Sequence, residues 1–384
     1  MADPKEVLKY LKISVNVEQE PGEEIRNHLK NTLLGTPGKL RYRHTTFDTK
    51  LPYLGRIFFL ILRRSEKLLG SVAFSLREIR FGDKSLDAWY IRYFSIHAPL
   101  RDSTFKRKRL KRAEKKKKKE RDKKPHGDSL LKNFSQPYFD EPEKYLAGKD
   151  AENIPSIIYA YVERENLRSW NFSEKIGFET VGRIVTSIFS RYNPKQHPEV
   201  SVIDDSEKDA HLEQLIKFYE GHTFFTGQNI YYGDYYLVYK ENGEILAACQ
   251  ANPEVWELID YPGGINKYLM KYATRLPIIR KMFVPGYQKF MAIEGIWYKE
   301  GCEKHLHALF ETACAMHGFH SAVIWLDGDS PVHKTIQSLG ALGIIDKLLK
   351  TAEGDIRVKF NNYEEKERQA YYDLPAYISC FDMT

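Results

Sequence analysis

One carboxylate stands where an apolar strand is expected: Glu294, inside KFMAIEGIWYK at 289–299. Burying an ionised carboxyl is expensive unless partners or a proton compensate, so Glu294 is read as either a structural pair or an acid/base group. Other side chains have proton-transfer chemistry. His97 follows the run WYIRYFSI at 89–96, Tyr159 and Tyr161 lie in PSIIYAYV at 155–162, and Ser173 lies in ENLRSWNFSEKIGF. Cys302 precedes an amphipathic segment, in a loop where a thiolate is favoured, with His305 three residues on; nucleophile and ordinary packing both stay open. His305 and His307 do not converge on a helix, and His317 and His320 lack a Cys or Asp partner pattern. No metal site is expected. The four cysteines, Cys249, Cys302, Cys314 and Cys380, form no CxxC pair, so no disulfide framework or structural zinc is indicated either.

These residues need elements to position them. At 384 residues the chain exceeds the usual size of one core, so two domains are expected. In the first half, IFFLILR and LLGSVAFSL flank a polar Ser-Glu-Lys turn and predict a hairpin. WYIRYFSI and PSIIYAYV predict two more strands, ENLRSWNFSEKIGF a short helix ending at Gly177, and ETVGRIVTSIFSR at 179–191 a closing strand. The second half repeats that order. DYYLVYKENGEILAACQAN at 234–252 is a hairpin turning at Asn242-Gly243, and KFMAIEGIWYK is the counterpart of WYIRYFSI. EKHLHALFETACAMHG places Leu306, Leu309, Phe310, Ala313 and Met316 on one helical stripe. SAVIWLDGD, SPVHKTIQSLG and DIRVKFNNY then predict strand, helix and closing strand. Helices are also expected within 21–35 and 207–222, a linker within 192–206, and a C-terminal YYDLPAYISCFDM that packs back on the body.

The third and fourth strands lie about 61 residues apart in the first half and their counterparts about 26 apart in the second. The excess coincides with a basic run, KRKRLKRAEKKKKKERDKK at 106–124, which carries 14 Lys or Arg against 3 acidic residues. The whole chain has a net charge of +7, so the rest of it is slightly acidic and no basic face is spread over the fold. The run reads as a solvated loop or as an electrostatic anchor for nucleic acid. It has few apolar neighbours for a membrane tether, and no run is long enough for a membrane span. MADPKEVLKY lacks the apolar stretch of a signal peptide, which makes the cytoplasm the expected location.

The order of elements resembles the GNAT acyltransferase superfamily, contained twice. The residues that carry the resemblance are Asn166 eleven positions ahead of Gly177-Phe178, within ENLRSWNFSEKIGFETVGR, with Asp329 and Gly340 as the second-half echo. The resemblance implies an α/β fold, a mixed sheet with flanking helices. It implies tandem units at 1–195, with the insertion at about 101–145, and at 196–384, as in N-myristoyltransferase-like and peptidoglycan Fem-like relatives. Two central parallel strands would splay, leaving backbone for the pantetheine arm and a helix N-terminus for the pyrophosphate. It further implies acetyl-CoA or another acyl-CoA as cosubstrate and a small-molecule or peptide amine as acceptor; a homodimer stays open. Matching positions for the cofactor are Ile96, Ala98, Arg101 and Asn166 in the first half, and Trp297, Tyr298, Gly301, Cys302 and Lys304 in the second. Glu294 or His97 would serve as base. Ser173 stands where the family often has its tyrosine acid, a role that Tyr159 is also placed to fill. A non-catalytic member that keeps the fold for binding is the alternative.

Overall fold

The computed structural model describes residues 13–36, 38, 40–82, 84–96, 130–150, 153–260, 286–343, 345–346 and 353–383. The strands are β1 (Ile13–Glu18), β2 (Arg41–His44), β3 (Arg56–Arg64), β4 (Lys67–Phe81), β5 (Lys84–Ile96), β6 (Ser156–Glu163) and β7 (Glu179–Ser190). They continue with β8 (Val200–Val202), β9 (Tyr236–Glu241), β10 (Glu244–Asp260), β11 (Tyr287–Tyr298), β12 (Ser321–Asp327) and β13 (Gly354–Asn361). The longer helices are α1 (Glu23–Lys30), α2 (Leu130–Asp140), α3 (Leu167–Lys175), α4 (Lys208–Phe218), α5 (Leu306–His317), α6 (Pro331–Leu339) and α7 (Glu365–Asp373). The expected hairpins, strands and helices therefore form. The Asn242-Gly243 turn has both residues at positive φ, 51° and 83°, as a tight hairpin requires.

The strands join in one mixed sheet of order β1-β3-β4-β5-β6-β13-β7-β12-β11-β10-β9-β8, with β2 continuing the edge of β10. This order is symmetric about the β13–β7 junction. Two pairs are parallel, β5 with β6 and β11 with β12; the other pairs are antiparallel. The sequence reading has β7 and β13 each closing its own half. Instead they cross over: β7 pairs with β12, and β13 with β6. An alternating apolar pattern specifies a strand but not its partner, and both strands have two buried-capable faces, so the exchange was not written in local periodicity.

Other links join the halves. β2 pairs with β10, and the turn after it carries Lys50 into a buried ion pair with Glu254, whose other oxygen accepts from Thr46 Oγ1 at 3.0 Å. Apolar clusters fill both sides of the sheet. Phe58, Phe74 and Trp89 of the strands pack with Phe139 of α2 and with Phe178; Leu215 of α4, Leu306, Leu309 and Phe310 of α5 and Ile336 of α6 pack with strand residues such as Met291 and Ile293. Met316, expected on the buried stripe of α5, is 44% exposed. It lies in the last turn of α5, next to the helix end at Gly318, whose φ is 64°. The side chains of Cys249, Cys314 and Cys380 are buried. No helix among the described residues is long and apolar enough to cross a membrane.

Asn166 caps α3, its Oδ1 accepting from Ser169 N–H at 3.2 Å. Asn166→Ala should therefore destabilise the protein by about 1 kcal/mol in urea unfolding, whereas Asn166→Asp should leave it nearly unchanged.

Candidate functional site

The two parallel pairs are both short. β5 and β6 stay together only from Ala88/Ile157 to Tyr90/Tyr159; β5 then follows β4 to Ile96 while β6 follows β13 to Glu163. β11 and β12 pair from Met291/Ala322 to Ile293/Ile324 and then part in the same way. Each divergence is a fork, and each long strand bulges just inside it. Val72 faces both Tyr93 and Phe94, and Cys249 faces both Gly295 and Ile296, so the register slips by one residue at equivalent places. Tyr93 and Gly295 hold φ of 54° and 55°. Beyond each bulge the long strand's inner edge has left its parallel neighbour, and its peptide groups need other partners.

At the first fork three phenols converge. The rings of Tyr90, Tyr159 and Tyr161 lie 5.0 to 6.1 Å apart. Burial pushes all three well above the ordinary phenol pKa, so they stay protonated donors at neutral pH. Beside them Arg77, from β4, binds both carboxylate oxygens of Asp382, and Arg92, from β5, reaches the same carboxylate at 3.2 Å. The Arg92 guanidinium also lies 4.7 Å from the Tyr93 ring, which helps fix this non-glycine residue at positive φ.

The second fork is filled. Tyr236 donates to the Gly295 carbonyl at 3.0 Å and Tyr219 to the Ile296 carbonyl at 2.7 Å. Residues 374–379 cross between the arms, and the space left is a cavity of ≈ 10 Å³ bordered by Tyr219, His222, Glu294 and Tyr377. Glu294 precedes the bulge, the position Arg92 holds in the first fork. Its carboxylate accepts from Ser379 Oγ at 2.7 Å and Asn252 Nδ2 at 2.9 Å. Burial lifts its pKa to about 7 against the pull of Ser379; the nearby Asp382 charge adds to the rise. It is a hydrogen-bonded core carboxyl whose pKa lies near neutrality. At Gly295 an added Cβ would stand 2.7 Å from Ile230 Cδ1. Gly295→Ala should cost about 1–2 kcal/mol from the positive φ alone, read as a lowered urea midpoint.

No protein-family model matches the chain, and no curated protein matches it by sequence. Solved structures do. N-myristoyltransferase from Saccharomyces cerevisiae with bound myristoyl-CoA aligns with a TM-score of 0.51 at 9% identity, covering 91% of this chain and 79% of that one. A probable N-acyltransferase from Enterococcus faecalis aligns at 0.43 and 9% identity, covering 91% and 73%. A GCN5-related N-acetyltransferase from Sphaerobacter thermophilus aligns at 0.39 and 9%, covering 79% and 80%. The fold is GNAT-like.

Within this GNAT-like frame the sequence-predicted residues fall unevenly. His97, Ala98, Arg101 and the basic run 106–124 lie outside the described residues, as do 261–285. Ile96 ends β5 at the first fork, and Asn166 follows β6, with its carboxamide oxygen engaged in the α3 cap. Ser173 is buried, and its hydroxyl donates to Trp170 O at 2.7 Å. Tyr159 sits at the last paired position of the first fork.

In the second half, Trp297 and Tyr298 finish β11; Trp297 packs edge-on to His211, and Tyr298 shares a 2.9 Å hydrogen bond with Thr335. Gly301, φ 79°, donates its N–H to Glu303 at 3.1 Å, Cys302 is half-buried, and Lys304 is exposed. The loop expected to greet a pyrophosphate therefore already holds a carboxylate. The described residues contain no cluster of three or more His, Cys, Asp or Glu placed for a metal. Missed by sequence reasoning were Arg77, Arg92, Asp382, Tyr219 and Tyr377. Arg92 could have been found by the logic that found Glu294, since it is a lone charge in the apolar run WYIRYFSI, whereas Arg77 has Glu78 and Arg80 beside it.

Proposed function

We propose that the chain is an acyl-CoA-dependent N-acyltransferase of two GNAT-like units, 1–195 and 196–384, the first carrying the insertion at about 101–145. The reading rests above all on the first fork, where β5 leaves β6 after Tyr90 and bulges at Tyr93. The matched bulges and the symmetric strand order support the two-unit reading, with closing strands exchanged between units.

In this reading the pantetheine arm lies along Ile91–Ile96, and the thioester supplies an activated acyl carbonyl. Arg92, a fixed cation beside the bulge, stabilises negative charge that develops on the acyl oxygen. Glu294, near neutrality in pKa but enclosed by Ser379 and Asn252 beside a cavity with room for about one water, accepts the proton of the amine only through an intervening water. Tyr159 acts as a hydrogen-bond donor to the departing sulfur. Its pKa is raised well above the thiol value of about 8.5, so it does not surrender its proton outright. Acetyl or longer acyl groups and a small-molecule or peptide amine are the substrate classes.

Mixing the protein with acyl-CoA and an amine panel tests this through free-thiol release. Saturable release that requires the amine is expected; release equal to the protein-free control rejects the activity. The alternative is a GNAT-like binding or scaffold protein. Arg92 favours it, because the first fork has a cation where the second has Glu294. The run 106–124 would then supply contacts to nucleic acid, with affinity falling steeply as salt rises.

A further inference from the structure

The two forks share a bulge and a divergence, and the second is threaded by residues near the end of the described chain. After α7 the chain runs as a strap over 374–383, and its contacts reach both arms of the second fork. Ala376 N–H donates to Asp327 Oδ2, at the end of β12, at 2.9 Å. Ser379 Oγ donates to Glu294, and Cys380 Sγ to the Ile293 carbonyl, both on β11. Tyr377 N–H donates to Thr223 O at 2.7 Å, and Thr223 N–H donates to Pro375 O at 2.9 Å, so one parallel β-bridge holds the strap.

What remains of the site is closed by the same fold. The two bulge carbonyls are capped by Tyr219 and Tyr236, the loop amide at Gly301 by Glu303, and Lys299 is paired with Glu244. The residual ≈ 10 Å³ has room for about one water, not for a pantetheine arm. Past the fork the strap continues into the first half, where Asp382 receives Arg77 and Arg92 and Tyr90 donates to its carbonyl at 3.3 Å.

We infer that the strap 374–383 occupies the second fork in the place a cofactor would take, excludes acyl-CoA from it, and ties it to the first fork through Asp382. The inference rests on the acyl-CoA reading for what is excluded, and not for the seating of the strap itself. It makes the second fork an anchor rather than a second site, so one chain binds at most one acyl-CoA. The arrangement also explains why the cap hydroxyls come from within the protein: peptide groups released by a bulge in a dry interior must find donors, and a ligand that comes and goes would leave them orphaned.

Two measurements on the full-length, unaltered chain decide it together. Hydrogen exchange read by mass spectrometry should show the amides of Ala376 and Tyr377 exchanging as slowly as the core of β11, with no ligand present. Calorimetric titration with decanoyl-CoA should saturate at no more than one per chain. Exchange of 375–379 within seconds, or saturation at two per chain, overturns the inference. A protected strap with no binding at all upholds the occupied fork and rejects the acyl-CoA reading instead.

Discussion

Replacing Asp382 with alanine is expected to destabilise the protein by about 3–5 kcal/mol, because two buried guanidinium groups lose their shared counter-charge. Arg77 and Asp382 have no exposed side-chain surface, and Arg92 has almost none. Water cannot take over the solvation of the arginines unless the strands open. Asp382→Asn should cost nearly as much, since volume is kept and charge is not. The double variant Arg77→Met/Asp382→Leu, which removes one ion from each side, should recover part of the loss. Urea unfolding checks all three. A loss below about 1 kcal/mol for Asp382→Ala, the scale of an exposed pair, would show that the network is solvated in solution.

The second large effect is on Glu294. If this carboxylate takes the amine proton, Glu294→Gln should lower kcat by about 10²–10⁴-fold while leaving acyl-CoA affinity intact. The wild-type rate should rise with pH through about 7, where Glu294 loses its proton, and the variant should lack that limb. Stability moves the other way. The unfolded carboxyl titrates near 4.5 and the folded one near 7, so between those values the native state keeps a proton that the unfolded chain has released. This contribution is complete below 4.5 and is lost as pH climbs toward 7. Glu294→Gln should abolish that slope. A variant with wild-type kcat and an unchanged pH profile removes Glu294 from the chemistry and leaves it as the structural pair that Asn252 and Ser379 already describe.

How far these features were legible in the residues depends on the range of the interaction that fixes them. Strand and helix identity is local, and the apolar run IFFLILR and the Asn-Gly turn each carried it. Glu294 was legible because a carboxylate in an apolar strand violates the pattern around it. Strand partners are not local. Nothing in ETVGRIVTSIFSR distinguishes pairing with β13 and β12 from pairing with β6, and the exchange emerges only when both halves are assembled. Asp382 escaped notice for a related reason, since YISCFDM has no period against which a buried charge stands out. Its partners Arg77 and Arg92 are 305 and 290 residues away. The burial of Ser173 is likewise not written in its polar side chain, whose hydroxyl turns back to the Trp170 carbonyl.

The first fork carries the whole functional account, and cofactor binding there can be seen directly. Hydrogen exchange of the full chain with a saturating acyl-CoA, tried from acetyl-CoA to myristoyl-CoA, should slow the amides of Ile91–Ile96. It should leave Gly295–Tyr298 as they were. Absence of any protection along β5 across that series, or protection confined to β11, would contradict the account.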